Sequence, residues 1–296
     1  MQPAVSATTA SQLSAITEVL ASGGTAVLTG AGLSTDSGIP DYRGPGSPPR
    51  APMTFQEFVT PRGRQRYWAR SFVGFARMTT AAPNSGHRAL ADLENAGLLA
   101  GLITQNVDGL HQAGGSVDVI DLHGRIDRVI CLGCSRRSSR EEYQHLLSLL
   151  NPDATHKGEI DLAPDGDAQV EDTEHFVVAD CEHCGGVLKP DVVFFGESVP
   201  PPVVAEASSV VEQATALMVL GSSLTVYSGR RFVRQAAIRG IPIIAVNRGP
   251  TRADEFATIR VDAGTSVVLP ALVDLIGTGS PAVHRKPPET APLIIV

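Results

Sequence analysis

Thr25-Ala26-Val27-Leu28-Thr29, running without a break into Gly30-Ala31-Gly32-Leu33-Ser34, is the stretch on which the fold turns. A short apolar and β-branched run with no polar alternation reads as a strand buried on both faces, with glycine turning the chain at its end. Working outward, similar runs occur at 102–104, 117–122, 216–220, 241–246 and 259–261. Helical patterns lie beside them at 11–22, 64–78, 85–95, 203–213, 229–239 and 266–276, with Gly23-Gly24 and Gly97 as stops. Strands alternating with helices predict an α/β fold, a mostly parallel sheet covered on both faces.

The only four cysteines form two Cys-x-x-Cys knuckles, Cys131/Cys134 and Cys181/Cys184, with 46 residues between the pairs. Two knuckles supply the four thiolates of a closed tetrahedral zinc site, leaving no position for a catalytic water. One structural Zn²⁺ is therefore expected to staple a small lobe, with the chemistry elsewhere. The expected organisation is a discontinuous Rossmann-like domain of residues 1–124 and 190–277, a zinc-binding lobe at 125–189 and a Pro-rich tail at 278–296. Residues 151–180 are acidic and weakly patterned and read as a mobile insertion. Residues 38–52, crowded with Pro and Gly, read as a long loop.

A net charge of −7 argues against binding along a phosphate backbone, and 5% aromatic residues offer no base-stacking platform. No apolar run approaches the roughly twenty residues of a membrane span. Residues 1–10 show no secretory pattern. Neither nucleic acid nor membrane is thus an expected partner. Thiols intended for zinc fit a reducing compartment. The richness in Ala, Gly, Arg and Val suggests a high-GC bacterium, so the expected location is a bacterial cytoplasm. Oligomeric state is not legible.

Ligands of an open α/β sheet sit outside the carboxyl ends of its strands. Those ends are Gly30 to Ser34, Gln105-Asn106-Val107-Asp108, His123-Gly124, Gly221-Ser222-Ser223 and Asn247-Arg248-Gly249, all expected to face one crevice. Gly30 and Gly32 would let backbone approach a pyrophosphate beside a helix N-terminus, although Gly-x-Gly also suits a plain turn. The full dinucleotide fingerprint is broken, because it needs glycine where Thr35 stands. A second loop of this kind, with the hydroxyls of Ser222 and Ser223, favours a dinucleotide all the same. His123 suits a general base acting on a hydroxyl, though one histidine among eight is as readily structural. His87, His111 and His183 read as structural. Asp108 is either a surface charge or a carboxylate that grips a carboxamide.

At this point the residues resemble a known family. Gly30-Ala31-Gly32-Leu33-Ser34-Thr35-Asp36-Ser37-Gly38-Ile39-Pro40-Asp41-Tyr42-Arg43 resembles the NAD-binding loop of the sirtuins. Thr104-Gln105-Asn106-Val107-Asp108-Gly109-Leu110-His111 is similar to their nicotinamide-pocket motif, and Leu122-His123-Gly124 to their catalytic-histidine motif. Lys189-Pro190-Asp191-Val192-Val193-Phe194-Phe195-Gly196-Glu197 resembles their substrate-binding strand. Gly221-Ser222-Ser223-Leu224 and Val246-Asn247 resemble their later NAD contacts. The resemblance covers about residues 10–276, in order, with the zinc knuckles between the motifs. Asp41-Tyr42-Arg43 and Arg64-Gln65-Arg66-Tyr67-Trp68-Ala69-Arg70 resemble the class II branch, that of the mitochondrial, weakly deacetylating member and its bacterial relatives.

The resemblance implies an NAD-dependent deacylase acting on acyl-lysine proteins or peptides. NAD⁺ would lie between the sheet domain and the zinc lobe. The motif positions Gly30, Ala31, Gly32, Ser34, Thr35, Ile39, Pro40, Asp41, Tyr42 and Arg43 would contact it, with Gln105, Asn106, Val107, Asp108 and His123. Gly221, Ser222, Ser223, Asn247, Arg248, Gly249 and Thr265 complete the implied set. The acyl-lysine backbone would pair with Val193, Phe194, Phe195 and Gly196 and with the stretch after Ser223.

In the implied reaction the acyl oxygen attacks C1′ of the nicotinamide ribose and nicotinamide leaves. His123 then deprotonates a ribose hydroxyl, which attacks the imidate carbon, and water releases lysine and O-acyl-ADP-ribose. Asn106 would order water and the ribose, while Asp108 and Ile39 would hold the carboxamide. A mono-ADP-ribosyltransferase on the same scaffold is the close alternative. A zinc-ribbon binding protein that senses NAD is a more distant one, and a dehydrogenase is disfavoured by the broken fingerprint. Tyr67 and Arg70 have the Tyr-x-x-Arg spacing of a branch preferring succinyl or malonyl lysine. They stand further from Pro83 to His87 than that pair does, so an ordinary amphipathic helix bearing Tyr and Arg is the favoured account of them.

Overall fold

The computed structural model describes residues 7–42, 52–154, 166, 168 and 173–277. Arg43, most of the expected loop at 38–52, part of the acidic insertion and the tail at 278–296 lie outside the described residues.

Among the described residues nine strands run in chain order: β1 (Thr25–Thr29), β2 (Leu99–Thr104), β3 (Val119–Asp121), β4 (Gly124–Cys131), β5 (Arg137–Ser139), β6 (Leu188–Val192), β7 (Ala216–Leu220), β8 (Ile243–Val246) and β9 (Ile259–Val261). The helices are α1 (Ala7–Ala21), α2 (Phe55–Phe58), α3 (Pro61–Met78), α4 (Ser85–Asn95), α5 (Leu110–Ala113), α6 (Arg140–Leu150), α7 (Pro201–Gln213), α8 (Tyr227–Arg239) and α9 (Thr265–Gly277). Six strands form a parallel sheet in the order β3-β2-β1-β7-β8-β9. Every residue of β1 is buried, as its unbroken apolar run requires.

The pleat divides β1 between two cores. Val27 packs with Ile16, Leu20, Leu90 and Leu269 under α1, α4 and α9. Ala26 and Leu28 pack with Val211, Phe232 and Val233 under α7 and α8. Each such fully buried aliphatic side chain contributes about 1.5–3 kcal/mol. Two sequence boundaries shift for reasons of proline chemistry. α7 starts at Pro201, because a first helical turn needs no N–H there. β8 starts after Pro242, which has no donor for the ladder.

A second sheet, β5-β4-β6, is antiparallel and carries the zinc region. β6 extends to Val192, across the expected boundary at residue 190. Its core joins Val129, Cys131, Leu147 and Leu188 to Phe58, Tyr67 and Trp68, so α2 and α3 pack with this lobe. Arg140 is fully buried there, with its guanidinium 4.4 Å from the Phe75 ring and 5.1 Å from Trp68. Burial pulls its pKa down to about 10. Among the described residues no helix is long and apolar enough to cross a membrane.

Candidate functional site

β1 and β7 are neighbours, but the chain leaves them toward opposite edges of the sheet. Such a switch point opens a crevice at the strands' carboxyl ends. Here the crevice has a volume of about 1340 Å³. Pockets for a single small molecule measure roughly 300–1,000 Å³, so two ligands have room. All five strand ends named from the sequence reach it. Of the residues expected to contact ligand, Thr35, Pro40 and Thr265 do not line it, and Arg43 is not described. Thr35 instead donates its hydroxyl to the Gly32 carbonyl at 3.1 Å.

Gly30 and Gly32 line the crevice and also hold two loops together. The N–H of Gly30 donates to Leu220 at 3.0 Å, and that of Gly32 to Gly221 at 2.8 Å. A Cβ on Gly32 would lie 2.8 Å from the Gly221 carbonyl oxygen, and one on Gly221 would lie 2.4 Å from the Leu33 nitrogen. Glycine is needed so that the two loops can pack backbone on backbone. The chain then continues in two 3-10 turns, Ala31–Leu33 and Thr35–Ser37, rather than an α-helix. The helix N-terminus expected beside Gly30 and Gly32 is thus replaced by these turns, and the two glycine amides are taken up by the Leu220 and Gly221 carbonyls.

What the loops present instead is a side-chain network. Asn106, 8% exposed, donates from Nδ2 to the Gly30 carbonyl and to Ser34 Oγ, both at 3.1 Å. Ser34 donates to Asp108 Oδ2 at 2.7 Å, and Asp108 Oδ1 accepts from the Leu110 amide at 2.9 Å. Burial raises the Asp108 pKa above the ordinary carboxylate value against the pull of these hydrogen bonds. Gln105 Nε2 donates to the Thr29 carbonyl at 3.1 Å and to Ser222 Oγ at 2.9 Å, tying β2 to the β7 loop. At the far rim, Arg248 pairs with Asp36 at 3.3 Å. The Ser266 hydroxyl, with Arg248, holds the Asp36 pKa below its usual value.

His123 sits between β3 and β4, where the two sheets meet. Its Nδ1 lies 2.9 Å from the Gln105 carbonyl, and its Nε2 lies 2.8 Å from Ser228 Oγ. A carbonyl only accepts, so Nδ1 carries the proton and Nε2 keeps the lone pair. Burial lowers the imidazole pKa, opposed by the Gln105 contact, which leaves the ring neutral at pH 7. Such a ring can accept a proton from a hydroxyl in the crevice.

The lobe contributes an apolar wall. Phe194 packs 4.9 Å from Phe58 and 5.2 Å from Tyr67, centroid to centroid, and Met53 lies beside them on the crevice. The segment from Val193 to Gly196 is anchored at both ends. Val193 N–H donates to the His123 carbonyl at 2.8 Å. Glu197 accepts from Lys189 Nζ and from the Phe194 amide, both at 2.8 Å. Tyr67 lines the crevice, whereas Arg70 is not among its lining residues and donates Nε to the Ala168 carbonyl at 2.7 Å.

The four cysteine sulfurs all lie within 4.8 Å of one another, with Cys131 to Cys184 at 3.5 Å and Cys134 to Cys181 at 3.9 Å. A tetrahedral Zn–S shell with bonds near 2.3 Å has edges of about 3.8 Å. The cluster therefore fits one zinc ion. A Cβ on Gly186 would lie 2.9 Å from Cys131 Sγ, so glycine is what admits the thiolates there.

Sequence reasoning missed Ser228, whose only local mark is its place in the first turn of α8. It also missed the anchoring role of the Lys189–Glu197 pair, although both residues lie within the quoted motif.

The comparisons agree with this geometry. The sequence pattern of the Sir2 family matches residues 30–228. An "NAD-dependent protein deacetylase 1" of Mycobacterium avium (strain 104) is 56% identical over 86% of this chain and 93% of its own length. One of the same name from Streptomyces coelicolor is 50% identical over 90% of each. A solved structure described as "Sir2-p53 peptide-NAD+" superposes with a TM-score of 0.72 at 30% identity, covering 90% of this chain and 99% of that one. With the family pattern running over two thirds of its length and more than half of its aligned residues identical to such a relative, the chain belongs to the Sir2 family, the sirtuins.

Proposed function

We propose that this chain is an NAD⁺-dependent deacylase that removes acyl groups from lysine side chains of proteins or peptides. The observation that carries the reading is His123, a neutral base of defined tautomer at the junction of the polar and apolar arms of one crevice. Relatives with half or more of their aligned residues identical bear the name NAD-dependent protein deacetylase.

NAD⁺ would supply an activated ribose carbon, C1′, to which the acyl-amide oxygen can bond as the C1′–nicotinamide bond breaks. The residues fit that ligand: hydroxyl and amide groups from Ser34, Gln105, Asn106, Ser222 and Asn247 line the polar arm. Asp108 and Ile39 hold the carboxamide end. Asn106, fixed by Gly30 and Ser34, orders the ribose and its water. His123 takes a ribose hydroxyl proton on Nε2, displacing the Ser228 contact, while Nδ1–H stays on the Gln105 carbonyl. The acyl-lysine backbone lies along Val193 to Gly196, and the acyl chain enters the wall made by Phe194, Tyr67 and Met53. The zinc ion holds the lobe that carries this wall. Four free thiols suit a reducing cytoplasm as the place of work.

Nicotinamide release is the deciding measurement. Release that depends on an acetyl-lysine peptide, lost in His123→Ala with NAD⁺ binding retained, is expected. Peptide-independent release coupled to labelling of protein would replace the reading with mono-ADP-ribosyl transfer, which no observation here favours.

A further inference from the structure

Tyr227, Arg230, Arg231 and Arg234 stand at i, i+3, i+4 and i+7 of α8 and so share one helix face. The three guanidinium carbons lie 5.8, 5.5 and 5.8 Å from the centre of the Tyr227 ring, which is itself 53% exposed. Other surface arginines reach carboxylates: Arg66 reaches Glu57, Arg239 reaches Glu212 and Arg260 reaches Asp254. Among the described residues none of these three does. Nε of Arg230 and Nε of Arg231 are moreover buried without a hydrogen-bond partner.

Three like charges around one ring repel one another, and cation–π attraction at an exposed site offsets only about 0.5–1 kcal/mol each. On a chain of net charge −7, this is a concentration of positive charge with no carboxylate paired to it among the described residues. Tyr227 and Arg231 also line the crevice that Val193 to Gly196 line. The face therefore begins where a bound acyl-lysine segment would emerge and continues outward along the helix.

We infer that this face selects acyl-lysine segments that carry Asp or Glu beside the modified lysine. The inference rests on the deacylase reading for its location. Guanidiniums are suited to carboxylates through paired N–H donors, and rim pairs of this kind tune partner choice more than total affinity.

The test uses the full-length zinc-loaded protein and two acetyl-lysine peptides that differ only in Glu or Gln at the flanking positions. Nicotinamide release is expected to give a kcat/KM about tenfold higher for the Glu peptide, carried by KM and shrinking as salt rises. Arg234→Glu, an exposed change that leaves the fold intact, is expected to abolish or invert the preference. Fluorescence anisotropy of the labelled pair reads the same ratio without turnover. Equal dissociation constants for the two peptides overturn the inference whether or not nicotinamide is released. Glu-selective binding without release sinks the deacylase reading and keeps this one. A change in KM for NAD⁺ in Arg234→Glu with an unchanged peptide ratio assigns the face to the cofactor and also overturns it.

Discussion

Ser228 Oγ lies 2.8 Å from His123 Nε2, the one ring nitrogen that the Gln105 carbonyl leaves unprotonated. The serine hydroxyl therefore donates to the lone pair on which the proposed base depends, and it stabilises the neutral ring. Removing it raises the proton affinity of His123. A hydrogen bond worth about 0.5–1.5 kcal/mol corresponds to a rise of roughly half to one pH unit. The acidic limb of the kcat/KM profile is expected to move up by that amount in Ser228→Ala and to stay in place in Ser228→Thr. An unmoved limb with altered Tm would show that the contact is only structural.

Glu197 ties the segment from Val193 to Gly196, proposed to bind peptide, to the lobe through Lys189 and the Phe194 amide. Lys189 is almost wholly buried, with rings of Phe194 and Phe55 at 5.1 and 5.8 Å. Glu197→Ala leaves that ammonium with the Val192 carbonyl and no counter-charge, and breaking a buried pair costs about 3–5 kcal/mol. The partial exposure of Glu197 puts this case at the low end. Urea unfolding is expected to show that loss together with a raised KM for acyl-peptide. Lys189→Met in the same background should recover part of the stability but not the KM. Full recovery of both would contradict the anchoring role.

Much of this architecture is legible in the sequence because its central strands are short, apolar and closed by glycine. Ala216 to Leu220 and Ile259 to Val261 form strands as expected, as does the helix Ser85 to Asn95, which Asn84 caps. The lobe was less legible. α6 went unread although Ser139 and Glu142 form a capping box at its start, and nothing local says that Trp68 reaches β6 and Tyr143 or that Tyr67 meets Phe194. The same holds for Ser228, which meets a histidine 105 residues away. Local patterns record which face of an element is apolar, not which distant loop returns to it. The glycine loops show a further limit: both turn and phosphate readings predict glycine, and only the register of β1 with β7 reveals loop-on-loop packing.

Gly186 allows the zinc site to be probed by a single substitution. Its added Cβ would lie 2.9 Å from Cys131 Sγ and 3.1 Å from Cys184 Sγ. Gly186→Ala is expected to weaken zinc retention at least tenfold in competition with a chelator, since displaced thiolates cannot keep tetrahedral bonds near 2.3 Å. Stability should fall in step, because a structural zinc contributes folding free energy directly. Wild-type retention in this variant would mean that the cysteines do not converge on one metal.

His87 and His111 make the protein acid-sensitive well above the range of its carboxylates. Both rings are buried, 5.1 Å apart, and His87 Nδ1 accepts the Asn84 amide at the start of α4. Burial lowers their pKa values to about 4 and about 3, from 6.5. A histidine whose folded pKa is depressed takes up its proton more readily in the unfolded chain. Its contribution is thus complete above pH 6.5. It is lost as pH falls from 6.5 toward 4 for His87 and toward 3 for His111. Each ring approaches a slope of about 1.4 kcal/mol per pH unit once the unfolded histidine is protonated. NMR titration should show both imidazoles still neutral at pH 5.5, while urea unfolding shows stability already falling between pH 7 and 5.5. Either ring titrating near 6.5 in the folded protein would remove it from this account. The Asn84 cap would then have to survive with a protonated His87, which has no lone pair left at Nδ1 to accept it.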